Sequence, residues 1–86
     1  MNHDDHQVRR GIIEVVSGVF GLPAETVAAG VSPDRVPKWD SAKHVELVVA
    51  LEERFGCMFE AEEVPELTSL ERMEEIITRH GETRNP

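Results

Sequence analysis

The sequence predicts an all-α fold, a four-helix bundle of three longer helices and one short one, on three observations. Apolar residues recur at helical spacing in three separate stretches. A glycine, a proline or a capping residue marks the ends of each stretch. No run alternates apolar and polar residues with the two-residue period of a strand. The 86 residues leave room for one domain, and 40% of them are hydrophobic, enough for a single core. Residues 1–86 therefore read as one unit, with a core over about 5–80 and frayed tails at 1–4 and 82–86.

The first helix is expected from about Asp5 to Phe20. Val8, Ile12, Val15, Val16 and Val19 fall on one face, and Asp4 or Asp5 suits the cap. Gly11, Gly18 and the valines lower its intrinsic propensity, so it must rely on packing. Gly21 and Pro23 end it. Residues 21–40, GLPAETVAAGVSPDRVPKWD, form a long connection in which Pro23 to Val27 can make one helical turn. Leu22, Val27, Val31 and Val36 are expected to tuck inward. A connection of this length is expected to cross the bundle from end to end, setting the helices it joins roughly parallel.

The second long helix is expected from Ser41 to Phe55, stopped by Gly56. Ala61-Glu62-Glu63-Val64 suits a brief third helix before Pro65. The last helix opens at Thr68 or Ser69, where Thr68 and Glu71 have the spacing of a capping box. Leu70, Met73, Ile76, Ile77 and His80 make its inward stripe, and Gly81 is its expected stop.

On a wheel of about 100° per residue, Leu47, Val48, Leu51 and Phe55 share one quadrant of the second helix with His44. Ala42, Glu46, Val49 and Glu53 form a second stripe facing solvent, with Val45 on its flank. Taken alone, Val49 reads as readily as a scattered surface apolar residue. Taken as a strip beside Ser41, it reads as a docking face on which carboxylates steer a basic partner and a valine makes the contact.

The formal charge is −8: residues 1–40 carry six acids and four bases, residues 41–86 eleven acids and five bases. Such a balance repels nucleic-acid phosphates and anionic membranes. The lone Cys57 rules out an intramolecular disulfide, which suits a reducing, cytoplasmic setting, and its neighbours do not activate it. No stretch approaches the roughly 20 apolar residues of a membrane span, and the amino terminus lacks a signal-like apolar core. No zinc or calcium spacing and no phosphate-binding glycine loop is present. Asp40-Ser41 by itself is ordinary capping chemistry. As a nucleophile Ser41 lacks the strand-to-helix elbow and a residue to orient His44.

The longer pattern Asp40-Ser41-x-x-x-Val45-Glu46-Leu47-Val48-x-Ala50-Leu51-Glu52-Glu53-x-Phe55-Gly56 closely resembles the second helix of acyl carrier proteins. The likeness extends over about residues 8–80. It implies a non-catalytic carrier in which Ser41 is the attachment point of 4′-phosphopantetheine, taken from coenzyme A by a magnesium-dependent phosphopantetheinyl transferase. Acyl intermediates would ride on the arm's thiol as thioesters and be presented to partners such as acyltransferases or ketosynthases. Asp40 would cap the helix and help the transferase recognise the site. Ala42, Lys43, Val45, Glu46, Val49, Glu52 and Glu53 match the partner-recognition surface of the family. A monomer is the expected state.

Three positions depart from the family pattern. Ala42 replaces the usual leucine after the serine, Lys43 stands where an acid is frequent, and Lys38 replaces a glycine two residues before Asp40. They point away from the fatty-acid-synthase type and toward discrete carriers of polyketide or related specialised pathways. The alternative is an acidic helical docking module that keeps the fold and is never modified.

Overall fold

A computed structural model of the chain describes residues 4–84. The regular secondary structure of those residues is all helical, with no strand. The elements are α1 (Asp4–Phe20), α2 (Ala24–Ala28), α3 (Ser41–Phe55), a 3-10 turn (Val64–Glu66) and α4 (Leu70–Arg84). The result is a small helical bundle of three long helices and short helical connections.

α1 is the common packing partner, lying against α2, α3 and α4. Its buried stripe of Ile12, Val16 and Phe20 meets Leu47, Val48 and Leu51 of α3 and Leu70, Met73, Ile76 and Ile77 of α4 in one core. Val8, Val15 and Val19, also expected inward, are only partly buried against it. Full burial of a Leu or Ile side chain contributes roughly 1.5–3 kcal/mol, and this helix needs that contribution because its valines and glycines supply little propensity. Gly11 has a packing role. A Cβ there would stand 2.8 Å from Cζ of Phe55, so the missing side chain is what lets that ring lie against α1.

α1 and α3 run antiparallel, not parallel as the long connection suggested. Lys43 at the start of α3 bonds Val19 near the end of α1, whereas Arg54 at the end of α3 pairs with Glu14 and Phe55 abuts Gly11. The connection does not cross the bundle because it is folded at one end. It spends its length on α2 and on sending Val27, Val31, Val36 and Trp39 into the core.

Several ends differ from expectation. α1 opens at Asp4, which places the cap position outside the described residues. The brief helix expected over 61–64 is replaced by a turn and the 3-10 segment containing Pro65, whose ring fits a first helical turn and lacks the N–H a longer helix would use. Ser69, not Thr68, caps α4: its Oγ accepts the Arg72 N–H at 3.2 Å, and its carbonyl accepts from Met73. α4 continues through Gly81 to Arg84 because Gly81 does not take the left-handed conformation that lets Gly21 and Gly56 end their helices. Residues 82–84, expected as tail, are thus helical, while 1–3 and 85–86 lie outside the described residues.

Candidate functional site

Ser41 is the first residue of α3 and is exposed. The preceding Asp40 is extended, and its Oδ1 accepts the Lys43 N–H at 2.9 Å. Its carbonyl accepts from His44 N–H. A cap of this kind stabilises a helix by about 1 kcal/mol. It uses the N–H groups of Lys43 and His44, leaving those of Ser41 and Ala42 at the positive end of the helix beside the serine hydroxyl. The local sequence encodes this: an aspartate before Ser41, and Gly56 at φ 65° as the left-handed stop fifteen residues later.

The turn bearing Ser41 is clamped from both sides. The buried Trp39 donates its indole N–H to Nδ1 of His44 at 3.0 Å, while Nε2 of His44 lies 2.7 Å from the carbonyl oxygen of Val64. Nδ1 accepts, so the ring proton sits on Nε2 and is donated to Val64. Both nitrogens are therefore occupied, and His44 holds three segments together instead of addressing the Ser41 hydroxyl. Trp39 also packs on Phe20, with ring centroids 4.8 Å apart. A lone tryptophan ahead of a cap has no periodicity to betray this role, and only the His44 position on the core face hinted at it.

The residues expected on the docking face separate into two groups. Ala42, Val45, Glu46, Val49 and Glu53 are exposed on α3, with Val45 and Val49 at 61% and 45% one turn apart. Val45 is more exposed than Val49, so both valines belong to the strip and neither is a flank. Lys43 and Glu52 turn elsewhere. The Lys43 ammonium donates to the Val19 carbonyl at 3.1 Å and lies 3.3 Å from Glu46. α1 has no base in its last turn, so Lys43 supplies the cation that its negative end favours. Glu52 is half-buried and accepts the Phe59 N–H at 3.0 Å, which fastens the segment after Gly56. Met58, in that segment, is 78% exposed and adds an apolar group the helical pattern could not reveal.

Among the described residues, no group of three or more His, Cys, Asp or Glu side chains could hold a metal ion. No helix there is long and apolar enough to cross a membrane. Cys57 is half-buried. The arrangement is a rigid, capped helix start that presents one hydroxyl to solvent, followed by a valine strip edged by carboxylates. Compared with known protein families and curated proteins, the chain matches no family model and no curated relative.

Proposed function

We propose that the chain is an acyl carrier that holds acyl intermediates as thioesters on a 4′-phosphopantetheine arm attached to Ser41, in a polyketide or related specialised pathway. The observation that carries this reading is the exposed hydroxyl of Ser41 on the first turn of α3, at the head of the Val45–Val49 strip. The residues suit the group. The hydroxyl is open to another enzyme, and the N–H groups of Ser41 and Ala42 favour an added phosphate. When bound, the arm supplies a thiol able to form thioesters, and its tether raises local substrate concentration at a partner's active site. The protein's own part is to hold the attachment point still, through Asp40, Trp39 and His44, and to offer the strip. Glu46 and Glu53 steer basic partners, and Val45 and Val49 make the apolar contact. The role is non-catalytic and cytoplasmic on this reading.

The alternative, an unmodified docking module, draws on Ala42 and Lys43. A methyl group replaces a larger contact next to Ser41, and Lys43 is committed to Val19. Intact-mass spectrometry of protein from its native cell separates the two. A carrier is found with the arm on Ser41, whereas a wholly unmodified population in a cell with an active transferase supports the docking module.

A further inference from the structure

A groove of about 640 Å³ opens between the end of α1, α2 and residues 30–38, on the face formed by the folded connection. Its volume lies in the range of small-molecule sites. The buried side chains of Phe20, Val31 and Val36 supply apolar wall, continued by Leu22 and Pro37. Arg35 and Lys38 line the same groove. The Arg35 guanidinium is placed over Gly30, where a Cβ would come within 3.9 Å of Nη1.

These two cations, together with the exposed Arg10 of α1, differ from the remaining described Lys and Arg side chains. Arg9, Lys43, Arg54, Arg72 and Arg79 each pair with a carboxylate of this acidic chain. Arg35 and Lys38 enter no ion pair among the described residues. Glu25, the one acid lining the groove, forms no salt bridge with either of them. A protein of charge −8 thus keeps, beside an apolar wall, two cations that form no salt bridge among the described residues. The planar fork of an arginine matches a carboxylate, and the wall removes hydrocarbon from water.

We propose that this groove binds a monocarboxylate with a short apolar tail, its head on Arg35 and Lys38 and its tail along Phe20, Val31 and Val36. The site is independent of Ser41 modification and stands whether or not an arm is attached.

The test is a titration of the isotope-labelled Ser41→Ala chain, which cannot carry an arm, with sodium octanoate, octan-1-ol and acetate. Octanoate is expected to shift the amide signals of Gly21, Leu22, Val31 and Val36. The alcohol, lacking the charge, and acetate, lacking the tail, should each bind roughly tenfold or more weakly. Arg35→Gln with Lys38→Gln, both at exposed positions, should bring octanoate down to the level of the alcohol. Ala29→Trp, which fills the groove from an exposed position, should abolish the shifts with the helical spectrum intact. Equal affinity for octanoate and octan-1-ol, shifts located elsewhere, or octanoate binding unchanged by Ala29→Trp would overturn the proposal.

Discussion

The indole nitrogen of Trp39 and Nδ1 of His44 are 3.0 Å apart, and the bond between them closes a loop around Asp40, Ser41, Ala42 and Lys43. The second ring nitrogen of His44 carries the restraint on to Val64, ahead of α4. The exposed serine therefore sits on a turn fixed from the core side, while its own side chain bears none of the fold's weight. Replacing Trp39 with Phe keeps most of the ring and removes the donor. The expected loss is about 1–2 kcal/mol, from the missing bond and the unsatisfied imidazole nitrogen. Urea denaturation measures it, and unchanged stability would show that the clamp does not hold the turn.

The two glycines of α1 are predicted to respond differently to alanine. Nothing lies within 4 Å of a Cβ at Gly18, so Gly18→Ala should add about 0.5–1 kcal/mol through helix propensity and a less free unfolded chain. At Gly11 the same methyl meets the Phe55 ring at 2.8 Å and Arg54 at 3.2 Å. Overpacking of that kind costs about 1–3 kcal/mol, which cancels or exceeds the propensity gain. Thermal unfolding of the two variants should place Gly11→Ala clearly below Gly18→Ala. Equal gains would mean that Phe55 moves aside freely.

Acid sensitivity is predicted to centre on Glu63. Its carboxylate lies 2.8 Å from Nε2 of His80, accepts the Glu60 N–H at 2.8 Å and is 3.4 Å from Arg79. The His80 hydrogen bond first, then the Glu60 amide, hold this carboxyl below its ordinary value of 4.5. A group lowered in the folded state contributes stability that is present above its ordinary value and is lost as pH falls through its folded value. Glu63→Gln should therefore be less stable than the wild type at neutral pH, and the gap should narrow below about pH 4.5. Denaturation midpoints from pH 7 to 3 measure this, and a constant gap would assign the loss to packing alone.

The helices were legible in the sequence because their signals are local. The 3.6-residue stripes located α1, α3 and α4, while Asp40 and Gly56 bounded α3 closely, since a cap and a left-handed stop act on the turn they belong to. The solvent-facing position of Val49 followed from the same periodicity. What was illegible depends on contacts distant in sequence. Connection length bounds how far a chain can reach, not whether it folds at one end, so the antiparallel setting of α1 and α3 was missed. Lys43 and Glu52 are placed on the docking face by the family resemblance and not by the wheel, and each long side chain turns to a backbone group that neither shows: the Val19 carbonyl and the Phe59 amide. Thr68 and Ser69 are chemically equivalent caps, and a shift of one residue decided between them.

The attachment of an arm to Ser41 is tested most directly by intact mass after incubation with coenzyme A, magnesium and a promiscuous phosphopantetheinyl transferase. The account predicts one phosphopantetheine group on the wild-type chain and none on Ser41→Ala. That variant should keep the wild-type melting temperature, because Asp40 and not Ser41 caps α3. An unchanged wild-type mass with several such transferases, or addition that survives Ser41→Ala, would contradict it.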